Sequence, residues 1–322
     1  MPVLIGTDEA GYGPNLGPLV ISATVWRVPD KLHTTDLYEL LKRVVTRTPH
    51  IGRGGGPSVV LADSKAIYKA GGSLAGLECG IFSALALLGQ RPTRWRDVWQ
   101  ALAADSAWQL ATEPWSVDFD RPVPLDVDAD HISLVSQAWQ QCLQQTGVEF
   151  CGLRSVAVFP DQFNRCIDQL GNKASLLSKL TLELVAREIQ TAADEPILVQ
   201  CDKHGGRNKY GPHLQQAFPD YLVEVYEETR ARSVYRWGTP PRRVEIRFSV
   251  HGEQFLPCAL ASMASKYLRE LAMLAFNDFW GRHVPGLKPT AGYPEDARRF
   301  KAEIAACQTR LQIPDHSLWR NR

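Results

Sequence analysis

Short apolar runs closed by turn residues alternate along this chain with longer stretches in which apolar positions recur every three or four residues. The first pattern predicts strands at 3–8, 19–27, 58–62, 154–158, 196–201, 221–227 and 243–250. The second predicts helices at 35–46, 73–89, 94–104, 132–146, 160–170, 174–192, 256–282 and 294–309. The run PILVQC at 196–201 is short and continuously apolar, and it follows a long amphipathic helix carrying Leu176, Leu177, Leu180, Leu184, Val185 and Ile189. A helix leading into a buried strand is the grammar of a sheet covered by helices, so the expected fold class is α/β. The helix at 256–282 is apolar through most of its first half, which predicts burial.

Three stretches interrupt this grammar. Residues 90–131 hold Trp95, Trp99, Trp108 and Trp115 and then an acidic, proline-spaced run. Four tryptophans argue against disorder and predict a small packed helical subdomain. Residues 228–243 are rich in arginine. The segment IGRGGGPSVV is rich in glycine but lacks the lysine and hydroxyl of a phosphate-binding loop, and it reads as a flexible connection.

Composition changes the picture by exclusion. A 44% hydrophobic, 22% charged chain of 322 residues has ample material for a core. A net charge of +1 gives no global basic field, so any nucleic-acid binding must come from local clustering. Seven cysteines, an odd count without a C-x-x-C pair, argue against a disulfide framework and against zinc, and suggest a reducing compartment. Neither a signal peptide nor a stretch of membrane-spanning length is evident, so the expected location is the cytoplasm.

The candidate chemistry is acidic. Asp8 and Glu9 close the first strand, ahead of Gly11, Gly13 and Pro14. Neighbouring side chains on a strand point to opposite faces, so the pair is expected to share a site only if Glu9 lies beyond the strand's end. The glycines also let backbone N–H groups approach a ligand. Asp63 opens ADSK after an apolar strand, and Asp202 ends another. Glu270 lies on the apolar helix, where a carboxylate is costly unless it is paired or holds a metal; Lys266, four residues earlier, offers an ordinary ion pair instead. Carboxylates without a histidine cluster suit Mg2+ or Mn2+ rather than zinc. In the arginine segment, Arg230, Arg232, Arg236, Arg242 and Arg243 interleave with Tyr235 and Trp237. This predicts either a phosphate grip with base stacking or a solvated hairpin whose arginines pair with Glu224, Glu227 and Glu228.

Several of these segments together resemble the type 2 ribonucleases H (ribonuclease HII). GTDEAGYG followed by GPLV resembles the family's opening, ADSK its D-S-K segment, and ASMASKYLRE its fourth-carboxylate helix, with Glu270 where the family has Asp. Residues 159–189 resemble the region before the third carboxylate. AGYPEDARRFKAEI resembles the glycine–tyrosine segment, and DHSLWR stands in the place of the basic tail. The resemblance does not reach 90–146 or most of 203–250. It implies a ribonuclease H-like fold: a mixed central sheet covered by helices, with insertions and a C-terminal helical part. On that reading residues 1–255 form the core, including the tryptophan-rich insertion at about 90–146, and 256–322 complete the active site and the substrate grip.

The resemblance also implies a two-metal endonuclease that hydrolyses the RNA strand of RNA/DNA hybrids, or cuts ribonucleotide-containing DNA, and leaves 3′-hydroxyl and 5′-phosphate ends. Asp8, Glu9, Asp202 and Glu270 would be both catalytic and metal-binding. Gly11, Tyr12, Gly13, Ser64, Lys65, Lys266 and Tyr293 would contact substrate. No membrane or protein partner is expected. Tyr12 stands where the family has an arginine between the glycines, so runs of ribonucleotides are expected to be preferred over a single embedded one. A non-catalytic nucleic-acid-binding protein on the same fold is the alternative.

Overall fold

Val3, Leu4 and Ile5 begin a strand that is buried on both faces and lies inside a seven-stranded sheet, next to its middle strand. The computed structural model describes residues 1–29, 36–48, 56–192, 194–240 and 242–321. The strands among them are β1 (Val3–Ala10), β2 (Leu19–Arg27), β3 (Val45–Thr46), β4 (Val59–Val60), β5 (Glu149–Val158), β6 (Ile197–Asp202), β7 (Glu224–Glu228), β8 (Arg232–Trp237) and β9 (Val244–Ser249). The helices are α1 (Leu37–Leu40), α2 (Ser64–Ile67), α3 (Ala75–Leu87), α4 (Trp95–Ala103), α5 (Ala129–Thr146) and α6 (Pro160–Leu170), then α7 (Lys173–Thr191), α8 (Gly211–Ala217), α9 (Leu256–His283), α10 (Pro294–Arg310) and α11 (Asp315–Leu318).

The sheet order is β5-β2-β1-β6-β9-β8-β7. β1, β6 and β9 run parallel at the centre, and antiparallel strands flank them on both sides. The expected architecture, a mixed sheet covered by helices, is therefore the observed one. Alternation along β1 sends Leu4 into a core shared with α3, α5 and α9, and sends Val3 and Ile5 into a second core under α6, α7 and α8. Gly6 faces α9, and a Cβ there would stand 2.3 Å from the Pro257 carbonyl carbon. The glycine thus lets a buried helix lie directly on the central strand. A third core joins the second half of α9 to α10 through Met273, Phe276, Trp280, Phe300 and Ile304.

The tryptophan-rich insertion packs, but not as a body apart. Trp95 and Trp99 sit in the same core as Leu4 and α9, and the Trp95 indole N–H donates to the Leu271 carbonyl at 3.0 Å. Trp115 packs edge-on against Phe276, and Trp108 remains exposed. A fully buried carboxylate ties the proline-spaced run to the rest. Glu78 of α3 accepts the N–H groups of Leu125 (2.6 Å), Asp126 (2.8 Å) and Val127 (3.1 Å), and the Tyr267 hydroxyl of α9 (3.0 Å).

Two expectations need correction. The helix expected at 35–46 is only α1 in its described part, capped by Asp36 and followed by a turn into β3, where the β-branched Val45 and Thr46 favour a strand. The arginine segment is the β7–β8 hairpin and the approach to β9. Strand alternation buries Tyr235 and Trp237, so neither ring can stack on a base. Arg232 pairs with Glu227 (2.5 Å), as in the solvated-hairpin reading, while Arg236 pairs with Glu245 (2.6 Å) and Arg242 with Asp194 (3.5 Å), partners that reading did not name. The glycine-rich segment read as a flexible connection lies mostly outside the described residues. Among the described residues all seven cysteines are free thiols, and no helix is long and apolar enough to cross a membrane.

Candidate active site

The parallel pairing of β1 with β6 ends at Thr7 and Cys201, and the next residue on each strand is an aspartate. Asp8 and Asp202 therefore emerge side by side at the C-terminal ends of two central strands, where loops and helix ends leave room for a ligand. Glu9 follows Asp8 inside the strand, since β1 runs on to Ala10 through its pairing with β2. The expectation that Glu9 must lie past the strand's end is thus corrected. β6 stops short, which leaves that edge of β1 open, and Glu9 still interacts electrostatically with both aspartates.

α9 braces this end of β1 with serines. The Ser265 hydroxyl donates to the Asp8 carbonyl (3.0 Å) and lies 2.8 Å from the Ser22 hydroxyl of β2. The Ser262 hydroxyl hydrogen-bonds the Asp8 carboxyl and lies 3.2 Å from the Ser64 hydroxyl. The Asp8 carboxylate further accepts the Glu9 N–H at 2.8 Å.

The three carboxyl groups repel one another in a poorly solvated place. Burial, then Glu9 and Asp202, hold Asp8 well above the usual carboxylate range. Burial and Asp202 push Glu9 up to about 7. Burial raises Asp202 as well, against the Gly252 N–H that donates to it at 3.1 Å. Lys65, from the turn capped by Asp63, supplies opposing positive charge to Asp8, Glu9 and Asp202. Glu253, in the turn before α9, adds a negative charge that acts on both Asp202 and Lys65. The sequence reading missed Glu253, although an acid just ahead of a buried helix and just after a central strand was a usable signal.

Three hard oxygen donors with too little compensating charge are chemically suited to a divalent cation. Among the described residues, however, no group of three or more His, Cys, Asp or Glu side chains is arranged to hold a metal ion as the side chains lie.

Glu270 is engaged elsewhere. It accepts from Lys266 (2.5 Å) and from the Tyr68 hydroxyl (2.9 Å), with Arg269 at 3.8 Å. The pair with Lys266 is nearly buried rather than on the surface. Glu270 also lines a cleft of about 640 Å3 together with Tyr68, Arg121, Asp126 and Asn277. Ser64 is buried against Ser262, so it anchors the turn that carries Lys65.

The glycine turn lies beside the acids. Gly11 has φ +88°, and a Cβ there would meet the Pro18 carbonyl oxygen at 2.4 Å, so only glycine fits. Two buried arginines underlie the turn. Arg269 donates to the carbonyls of Leu16 (3.3 Å) and Ala291 (2.8 Å); Arg320 donates to those of Gly11 (2.6 Å) and Pro14. Tyr293 stands exposed over Gly13, its ring edge 4.0 Å from where a Cβ of Gly13 would be. Tyr12 is partly buried with the Lys173 ammonium 4.5 Å from its ring centre.

No protein-family model matches the sequence, and a comparison with curated proteins finds no match. Solved structures do match. A chain of the PCNA:RNase HII complex from Archaeoglobus fulgidus aligns with TM-score 0.46 and 14% identity over 99% of this chain and 94% of that one. The ribonuclease H2 from Pyrococcus horikoshii OT3 aligns with TM-score 0.43 and 16% identity over 98% and 92%. Bst-RNase HIII in complex with Mn2+ aligns with TM-score 0.40 and 15% identity over 99% and 66%. The chain is similar to type 2 ribonucleases H. What the site can do rests on its own side chains.

The raised carboxyls give stability a definite pH dependence. Glu9 titrates near 7 in the folded chain and near 4.5 when unfolded. Between those values the folded chain holds more protons, so this group's contribution to stability falls as pH rises from about 4.5 to about 7. Asp8 and Asp202 shift in the same direction. Thermal unfolding in EDTA is therefore expected to show a midpoint that declines more steeply across this window for the wild type than for Glu9→Gln. Mg2+ should lift the wild-type midpoint most at the upper end. Parallel curves for the two proteins would show that Glu9 is not buried against like charge.

Proposed function

We propose that this chain is a divalent-metal-dependent endonuclease of ribonuclease H type, acting on RNA paired with DNA. The observation that carries the reading is the meeting of Asp8, Glu9 and Asp202 at the ends of β1 and β6, three mutually repelling carboxyl groups at the open edge of a central strand. Asp8, Glu9 and Asp202 would hold Mg2+ or Mn2+. Bound there, such ions would lower the pKa of an attacking water and stabilise the leaving oxygen of a phosphodiester.

The protein's own groups account for the rest. The serines of α9 fix the Asp8 backbone and carboxyl, and Lys65 offers positive charge to a phosphate next to the acids. Backbone N–H groups of the Gly11–Gly13 turn would read 2′-hydroxyls, which distinguish RNA from DNA. Tyr293, exposed beside that turn, would stack on the substrate. Glu270 lies on α9 two turns beyond Ser262 and would join the acids only by releasing Lys266.

The deciding experiment is hydrolysis of an end-labelled RNA/DNA hybrid with Mg2+, with Mn2+ and with EDTA, alongside the same RNA single-stranded and an all-DNA duplex. Metal-dependent cutting confined to the hybrid's RNA strand is expected. One observation favours a second reading, a binding protein without catalysis: Glu270 is already neutralised by Lys266. That reading is favoured if the hybrid binds and stays intact with either metal.

A further inference from the structure

The arginine missing from the glycine turn has a neighbour that can take its place. The Tyr12 hydroxyl rests over a second turn, Gly205–Gly206, so closely that a Cβ on Gly205 would stand 2.8 Å from it. Both glycines are left-handed, with φ of 58° and 80°, and they turn the chain so that Arg207 comes within electrostatic reach of Tyr12. This loop is firmly built. The Lys203 ammonium donates to Asn208 Oδ1 (2.7 Å) and to the Thr229 carbonyl (2.8 Å). The His204 N–H donates to the Tyr210 hydroxyl (3.0 Å), the Tyr210 N–H donates to the Tyr235 hydroxyl (2.7 Å), and the Tyr210 ring stacks on Phe248 at 3.6 Å.

What this loop presents is a guanidinium without a counter-charge. Arg207 contacts His213 Nε2 (2.5 Å) and Ser175 Oγ (3.5 Å), and its Nε has no partner. Among the described residues no carboxylate pairs with it, whereas Arg232, Arg236 and Arg299 each hold one. Burial and Arg207 itself hold the His213 imidazole below its ordinary range, so this partner is neutral at physiological pH. The Lys173 ammonium lies 4.5 Å from the centre of the same Tyr12 ring. An arginine without a carboxylate partner, and a lysine, thus both lie close to the tyrosine that stands three residues after Glu9.

We propose that Arg207, supported by Lys173, binds a backbone phosphate of the nucleic acid lying across the carboxylates, and so restores the charge that Tyr12 does not carry. This rests on the nuclease reading above. An arginine can hold a phosphate through two parallel N–H bonds, and such a contact fixes position without reading sequence.

The test uses Arg207→Gln and Arg207→Lys in the full chain, with a fluorescein-labelled RNA/DNA hybrid. Binding is followed by anisotropy over a salt series in an Asp8→Asn background, and cleavage is measured in the wild-type background. Glutamine is expected to weaken binding about tenfold and to reduce the salt slope by about one phosphate contact. KM should rise while kcat changes little. Lysine should restore the slope with only part of the affinity. A structural role would lower the unfolding midpoint and leave the slope unchanged. Wild-type slope and affinity in Arg207→Gln, in a protein that cuts the hybrid, would overturn this inference alone. Failure of the unsubstituted protein to bind or cut the hybrid would overturn it together with the nuclease reading.

Discussion

Asp8→Asn is expected to lose at least about a thousandfold in hybrid cleavage while binding the hybrid nearly as well as the parent. Metal-assisted stabilisation of a phosphodiester transition state is worth several kcal/mol, and about 4 kcal/mol corresponds to that factor. Asparagine keeps the shape and an oxygen for the Glu9 N–H, so the local fold should survive. The substitution also removes one of three carboxyl groups that repel one another in the metal-free chain. The unfolding midpoint in EDTA should therefore stay level or rise while activity disappears, the opposite pairing to that of a disruptive core change. Cleavage at near the parent rate would remove Asp8 from the chemistry. A lower midpoint together with the lost activity would mean that the acid is structural.

Glu78→Ala is expected to cost at least about 4 kcal/mol of stability. Four donors converge on this carboxylate, three of them backbone N–H groups and the fourth a buried hydroxyl. An unsatisfied buried polar group costs about 1–3 kcal/mol, and alanine also opens a cavity. That is a large part of the roughly 5–15 kcal/mol that holds a typical fold. Glutamine should lie between: one oxygen still accepts, but its amide N–H faces backbone N–H donors. Urea unfolding of the three proteins gives the order. A loss under about 1 kcal/mol for alanine would show that the 125–127 segment finds other acceptors without loosening α3 from α9.

The long helices and the central strands were legible because their periodicity and their burial agree. α6, α7, α9 and α10 begin and end within a residue of where the sequence puts them. α1 was misread because the apolar spacing of Leu37, Leu40, Leu41 and Val44 fits a helix, while β-branched pairing with β4 claims the following residues. Of the two readings of the arginine-rich segment, base stacking fails because charge dominates its composition while Tyr235 and Trp237 are core. At the site, Asp8, Glu9, Asp202 and Lys65 were legible from strand ends and the resemblance. Glu270 was placed by pattern alone, and pattern does not tell a ligand from a partner of Lys266. Glu253 carried a local signal that was passed over, whereas Arg207 belongs to a turn whose meaning appears only when strands far apart in sequence become neighbours.

Arg320 reaches back across almost the whole chain to hold the carbonyls of Gly11 and Pro14, with its guanidinium over the Phe163 ring at 4.7 Å. The turn beside the acids is thus tied to a side chain 309 positions further along the chain. Fraying of the segment that bears Arg320 would therefore be felt at once at the border of the acids, however far apart the two stand in the sequence.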